Sequence, residues 1–292
     1  SQAQAAKGSP TQQVGDFYRA ALELRQRDAA GLQPIQADLD AAARATSPAD
    51  LGRLSFRLQS VAGNAPLLNL MAIPDMKDSS RVLLMVLPGA LPLSNDQYSD
   101  PAAQKIRDLY VAYITTVHQQ LGDAPEAAAA KARSILAIEA ALAAPRLTPA
   151  QEWDPALIYN LLTVDEAQAL IPAVDLRALA AAARLTLPDR VQVRDLAATK
   201  AMQQVLASRS AAEVKDWLRW SVLAMNADLL GQPWSQLSRD FQRQRDGLAA
   251  SMPPQRQAVQ ALTMQLYHPM AQLYVQRHFS DASIARYSAD SS

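Results

Sequence analysis

The stretch LPGALPLSNDQYSD, residues 87–100, separates a short apolar run from a long helical pattern. Prolines and a glycine crowd into it, although the chain contains only 9 glycines in 292 residues. Such a stretch is typical of a loop, which could be part of an active site or a structural corner. The apolar segments 67–73 and 81–87 flank the turn-like PDMKDSS. We therefore predict a small β-hairpin that leads directly into this loop.

Beyond the loop, the sequence is dominated by amphipathic helical patterns. Asp100-Pro101 is a helix start, because aspartate caps the first turn and proline suits the first helical position. Apolar residues then recur with helical spacing between residues 106 and 117. Ser210-Ala-Ala-Glu213 has the pattern of a capping box and predicts the start of a second helix. These signals predict a mainly α fold, a multi-helix domain with one small β-hairpin.

The sequence contains no linker rich in proline, glycine or serine and no repeat of fixed period. We therefore expect a flexible segment over residues 1–13 followed by a single helical domain over residues 14–292. Within it, RVQVR at 190–194 is a candidate third strand. Pro269 interrupts a helical stripe and is expected to kink or break that helix.

Composition restricts the possible functions. The 28 basic and 28 acidic side chains balance, which argues against a nucleic acid as the main partner. The longest apolar run is broken by prolines and shorter than the about 20 residues that cross a bilayer, so no transmembrane segment is expected. Without cysteine, the chain has neither disulfides nor thiolate nucleophiles.

Sequence motifs for catalysis are also missing. His118, His268 and His278 are the only histidines, and no pair has the spacing of the zinc motif H-E-x-x-H. We interpret them as surface or helix-packing residues. The sequence has neither a nucleophile elbow nor a glycine-rich phosphate loop. We therefore expect no catalytic residue and no metal ligand in this chain.

Glu139, in the apolar helical segment ILAIEAALAA, has two interpretations. A desolvated glutamate could have a raised pKa and act as an acid or a base. Alternatively, it pairs with an arginine of a neighbouring helix, which we favour because a lone carboxylate specifies little. The tryptophans could line a ligand groove, but Trp217 lies on an apolar helical stripe, for which core packing is the better default.

Several stretches, in order from about Val14 to Phe279, resemble the N-terminal helical, non-catalytic region of neprilysin and endothelin-converting-enzyme type zinc metallopeptidases. The loop matches the family's Gly-Leu-x-Leu-Pro-x-Arg-Asp-Tyr-Tyr pattern at Gly89, Asp96 and Tyr98, with other positions changed. ARSILAIEAALA and DPALIYNLLTVDEAQALIPAVD resemble two further family segments. The other family-like positions, which we expect to be structural, are Glu139, Tyr159, Asn160, Pro172 and Trp217.

The resemblance implies a region that encloses a peptide chamber and gates access to it. Zinc is expected only with the family's catalytic domain, so this chain should be inactive as a peptidase alone. The implied partner is a catalytic metallopeptidase domain or a peptide or protein ligand. The alternatives are a stand-alone helical binding module derived from the family and an unrelated helical scaffold. Because family members act outside the cytoplasm, a periplasmic or otherwise extracytoplasmic location is implied.

Overall fold

The computed structural model describes residues 5–249, 252–280, 283 and 286. The contacts divide the chain into two compact units, where the sequence predicts one domain over 14–292. The larger unit is Leu32–Gly247, and the smaller one combines Ser1–Gly31 with Leu248–Ser292. The first helix begins at Pro10, inside the segment 1–13 that the sequence predicts to be flexible. Ser9 caps this helix by accepting a hydrogen bond from the Gln12 backbone N–H.

The fold is mainly α, as the sequence predicts. The helices are α1 Pro10–Leu22, α2 Leu24–Ala30, α3 Gln36–Arg44, α4 Pro48–Ala62, α5 Asn95–Ser99, α6 Gln104–Gln120, α7 Pro125–Ala143, α8 Pro155–Ile158, α9 Val164–Leu170, α10 Leu176–Ala182, α11 Leu196–Ser208, α12 Ala211–Asn226, α13 Trp234–Arg245, α14 Pro254–Gln265 and α15 Tyr267–His278. Short 3-10 helices occupy Gln33–Ile35, Pro101–Ala103, Gln151–Trp153 and Ala227–Leu229. The strands are β1 Leu68–Asp75, β2 Asp78–Pro88, β3 Leu161–Thr163 and β4 Arg190–Val193.

Two helical segments begin, and one helical stripe breaks, near the residues that the sequence predicts. The Ser210 hydroxyl accepts from the Glu213 backbone N–H, and the Glu213 carboxylate accepts from the Ser210 N–H, which closes the capping box of α12. Asp100 caps the 3-10 turn that precedes α6. The predicted break near Pro269 is confirmed, because α14 and α15 are separate helices that meet at Leu266.

The predicted hairpin is confirmed and belongs to a larger sheet. Strands β1 and β2 pair antiparallel, from Leu68 opposite Pro88 to Asp75 opposite Asp78. The candidate strand at 190–194 is β4, which runs parallel to β2 and antiparallel to β3, in the order β1-β2-β4-β3. Strand β3 has only 3 residues, too few for an alternating pattern to reveal it.

The core of the larger unit forms where α6, α7, α12 and α13 pack together. Trp217 is buried on α12, so core packing rather than a groove is its role. Beside it, the Trp220 indole N–H donates to the Tyr110 hydroxyl at 2.9 Å. Tyr113 stacks on Phe241, with ring centroids 5.0 Å apart and planes 8° from parallel. Within the described residues, no helix combines the length and hydropathy that a membrane span requires.

Helices α4 and α10 approach so closely that their contact depends on a glycine. A Cβ added to Gly52 would lie 2.3 Å from the Asp175 backbone carbonyl oxygen. Because that neighbour is backbone, one of the two helices would have to move. The Asp175 N–H also donates to the Pro48 carbonyl at 2.9 Å, which ties the start of α10 to the start of α4.

We expect Gly52→Ala to lower the free energy of unfolding by about 3 kcal/mol, because overpacking forces this helix pair apart. Urea unfolding followed by circular dichroism measures the change. Ser60→Ala is the control on the exposed side of α4, where only a local hydrogen bond to the Arg57 carbonyl is lost. Equal stability of the two variants would contradict the close approach.

Candidate functional site

The loop between β2 and α5 is a corner that close backbone contacts hold in place. Gly89 is buried, and a Cβ there would lie 1.9 Å from the Pro66 carbonyl oxygen. The Ala90 N–H donates to the Ala65 carbonyl at 2.9 Å. From the other side, the Arg146 guanidinium donates to the Gly89 carbonyl oxygen. The close backbone packing therefore requires a glycine at this position.

The far end of the same loop is fixed by a buried hydrogen bond. The Tyr98 hydroxyl donates to Glu139 Oε2 on α7 at 3.0 Å. It also accepts from the Leu93 backbone N–H at 3.2 Å. Burial raises the pKa of Tyr98, so the hydroxyl keeps the proton that it donates. One phenol thus joins the loop backbone to the core helix.

Glu139 is completely buried, as the apolar sequence around it predicts. Burial raises its pKa to about 7, and the hydroxyls of Tyr110 and Tyr98 and the nearby indoles oppose that increase. Its Oε1 has no hydrogen-bond partner within the described ranges. The favoured pairing with an arginine is wrong, because the contacting group is a tyrosine. The Glu139 carboxyl therefore lies among aromatic side chains.

The remaining loop position, Asp96, is exposed in the first turn of α5. A hydrogen bond from the Ser94 hydroxyl holds the pKa of its carboxyl below the usual value. Asp96 therefore shapes the start of α5, whereas Gly89 and Tyr98 face the protein interior. The three loop positions that share the family pattern all have structural contacts.

The tip of the hairpin is anchored by a second buried carboxylate, Asp75. It accepts hydrogen bonds from the Lys77 backbone N–H at 2.9 Å, the Tyr159 hydroxyl at 3.1 Å and the Arg81 guanidinium at 2.7 Å. The Lys77 N–H, with Tyr159 and Arg81, holds the pKa of Asp75 below its usual value. The Lys77 ammonium lies 4.2 Å from the centre of the Tyr159 ring.

The other family-like positions are separate from this tip. The Asn160 side-chain amide donates to the Val193 carbonyl at 3.0 Å, which holds the start of β3 beside β4. Pro172 is exposed between α9 and α10. The structure therefore brings Tyr98 to Glu139 and Tyr159 to the hairpin, but it does not assemble the predicted positions into one site.

A cavity of about 140 Å³ in the larger unit is the feature that sequence reasoning missed. His118, at the end of α6, lies in its wall and is only 6% exposed. Its Nδ1 lies 2.9 Å from Asp123 Oδ2, and the Lys131 ammonium donates to both oxygens of that carboxylate. The only sequence signal was a histidine near a helix end with an aspartate shortly after it, which is too common to identify a site.

The three histidines belong to different units. His268 and His278 are exposed on α15 in the smaller unit, whereas His118 is buried in the larger one. Over the part of the chain that the structure describes, no group of His, Cys, Asp or Glu side chains has the arrangement of a metal site. The interpretation of the histidines as surface or packing residues agrees with these positions.

The sequence profile of peptidase family M13, N-terminal region, matches residues 1–289, and the chain belongs to this family. Endothelin-converting enzyme-like 1 of mouse is 26% identical over 96% of this chain, and the human protein is also 26% identical over 96%. The chain spans 38% of the length of these two relatives. The resemblance to the neprilysin and endothelin-converting-enzyme type is thereby confirmed.

Solved structures show the same fold. The zinc metalloprotease Zmp1 of Mycobacterium tuberculosis in its open state superposes with a TM-score of 0.89 at 25% identity, over 98% of this chain and 45% of that one. PepO of Lactobacillus rhamnosus superposes with a TM-score of 0.79 at 16% identity, over 98% and 46%. The second likeness concerns the fold alone.

We expect the contribution of Glu139 to the stability of this protein to fall as pH rises from about 4.5 to about 7. An unfolded glutamate has a pKa of 4.5, whereas Glu139 in the fold has a pKa of about 7. Between these two pH values the Glu139 carboxyl holds a proton in the folded chain and has released it in the unfolded chain. Each increase in pH therefore favours unfolding. The total loss is about 3 kcal/mol, and it is complete above pH 7.

Urea titrations at several pH values, on the wild type and on Glu139→Gln, measure this effect. The amide does not titrate, so the variant should lose the slope that Glu139 contributes while other carboxyl groups act equally in both proteins. Parallel stability curves for the two proteins would show that Glu139 has an ordinary pKa.

We expect Tyr98→Phe to lower the free energy of unfolding by about 1–3 kcal/mol, because it leaves the Glu139 carboxyl and the Leu93 N–H buried without their partner. Thermal and urea unfolding report the loss. Asp96→Asn, at the exposed family position of the same loop, is the control and should be near neutral. A neutral Tyr98→Phe would mean that the loop does not depend on this contact.

Proposed function

We propose that this chain is the non-catalytic, substrate-enclosing and gating region of a neprilysin-type zinc metallopeptidase. The observation that carries the proposal is the match of residues 1–289 to the N-terminal region of peptidase family M13. The chain spans well under half of the relatives that it resembles. In this role it limits which peptides reach the zinc, and a catalytic metallopeptidase domain performs the hydrolysis.

The chemistry of the side chains supports a role without catalysis. A zinc peptidase needs imidazole ligands on one helix face and a glutamate that activates water. The sequence contains no H-E-x-x-H, and the Nδ1 of its one buried histidine is already bonded to Asp123. Zinc therefore belongs to the catalytic domain in this proposal, and none is held by this chain.

The surface of the smaller unit supports a protein partner. Large apolar side chains on and beside α14 and α15 are exposed, with exposed fractions from 42% for Phe279 to 74% for Met264; the others are Val259, Tyr267 and Tyr274. Apolar side chains gathered on neighbouring elements mark interaction surfaces in soluble proteins. We assign this surface to contact with the catalytic domain. An extracytoplasmic location, periplasmic or secreted, is part of the same proposal.

The purified chain should show neither zinc nor peptidase activity. We expect less than stoichiometric zinc by plasma mass spectrometry and no chelator-sensitive cleavage of a quenched fluorescent peptide, with full-length Zmp1 as the positive control. One tightly bound zinc together with chelator-sensitive cleavage would contradict a non-catalytic role.

The gating role requires a catalytic domain to test. In a chimera, this chain replaces the matching region of Zmp1, whose fold it shares with a TM-score of 0.89. We expect cleavage of short fluorescent peptides, with the rate per bond falling steeply for long unfolded polypeptides. The catalytic region of Zmp1 without any N-terminal region is the control for intrinsic length preference.

Two results would contradict the gating role. The first is a folded, zinc-loaded chimera that cleaves long polypeptides as fast per bond as short ones. The second is a folded, zinc-loaded chimera with no activity, which would favour the stand-alone binding module instead.

A further inference from the structure

Beside the cavity at His118 lies a buried acceptor without a donor. Asp123 carries a carboxylate, which can only accept, so the hydrogen bond of 2.9 Å requires that His118 Nδ1 carries the proton. In the neutral ring, Nε2 then presents a lone pair. No described residue donates to Nε2, although the side chain is more than nine-tenths buried. A buried acceptor without a donor is costly, so a ligand that donates a hydrogen bond to it would gain affinity.

The charges around the cavity balance one another. Asp123 and Asp216 face Lys131 and Arg219, and the Lys131 ammonium lies 2.9 Å from Asp123 and 3.9 Å from Asp216. Burial lowers the pKa of His118, so the imidazole is neutral near pH 7. With equal numbers of opposite charges and a neutral ring, the cavity favours a neutral molecule over an ion.

The rest of the wall is mainly apolar. It consists of one polar side chain, Gln36, and the apolar side chains of Leu32, Leu39, Val117, Leu121, Trp220 and Leu223. The cavity volume of about 140 Å³ is close to the roughly 150 Å³ of an apolar protein cavity that accepts benzene. A compact ring with one polar hydrogen therefore fits both the size and the lining.

We infer that this cavity binds a small neutral molecule with one O–H or N–H donor on a compact apolar ring, such as a phenol. The donor bonds to His118 Nε2, and the ring packs against Leu39 of α3, Leu121 at the end of α6 and Leu223 of α12. Nε2 is buried beside the cavity, so binding requires a side-chain movement that brings the donor to it. Asp123 is a positioning residue, because it holds the imidazole in the tautomer that accepts at Nε2.

Phenol and toluene test this inference, because they have nearly the same shape and only phenol has a donor. Binding to the full chain is measured by NMR titration with ¹⁵N-labelled histidine. We expect phenol to bind at least about tenfold more tightly than toluene, as for sites that hydrogen-bond a hydroxyl. The His118 Nε2 resonance should shift with phenol, and the resonances of His268 and His278 should not.

Variants separate the hydrogen bond from the cavity itself. His118→Phe should abolish the preference for phenol over toluene, while His268→Phe, at an exposed histidine, should leave it unchanged. Leu121→Trp, at a partly exposed wall position, should weaken both ligands without unfolding the protein, because it fills the cavity. Circular dichroism confirms that each variant is folded.

The inference is overturned if neither ligand binds the wild type at millimolar concentration, which would leave water as the only occupant. It is also overturned if toluene binds as well as phenol, or if phenol binds without shifting His118 Nε2. None of these outcomes depends on a catalytic domain, so they leave the proposed gating role standing.

Discussion

The hydrogen bond from Tyr98 to the buried carboxyl of Glu139 is the constraint on which the larger unit depends. It joins the loop that follows the hairpin to α7, at the centre of the helical core. A glutamate in an aromatic environment is costly when charged, so the fold favours its neutral form. The neutral carboxyl still requires partners, and Tyr98 supplies one while it also fixes the loop backbone at Leu93. Position and protonation are therefore determined together.

Further contacts extend this anchor into the rest of the sheet and helices. At one end, Gly89 lets the loop lie directly on the Pro66 backbone. The Arg146 guanidinium donates a hydrogen bond to the Gly89 carbonyl oxygen. At the other end of the hairpin, the buried Asp75 accepts hydrogen bonds from the Lys77 backbone N–H in the turn and from the Tyr159 hydroxyl. The hairpin and the loop that follows it thus contact two buried carboxyl groups with opposite pKa shifts: burial raises the pKa of Glu139 to about 7, and hydrogen bonds lower the pKa of Asp75.

Much of this fold could be predicted from the sequence, because its signals are local. The Ser210-Glu213 capping box, the hairpin and the break near Pro269 each depend on residues a few positions apart. The partner of Glu139 could not be predicted in this way, since Tyr98 is 41 positions away and the sequence pattern favours an arginine. The cavity beside His118 was missed for the same reason, because its wall combines side chains from four helices. The family could be identified from the sequence because several weak motifs occur in the family's order along the chain. That comparison requires no knowledge of which residues are in contact.

The buried contacts give two positions of the family motif a structural role. Gly89 and Tyr98 shape the corner at which the hairpin and α7 meet. The protonation state of Glu139 tests the role of this buried carboxyl most directly. In ¹³C-labelled protein, the side-chain carboxyl resonance assigned by comparison with Glu139→Gln should titrate with a midpoint near pH 7. A carboxyl that is already ionised at pH 5 in the folded chain would contradict the account.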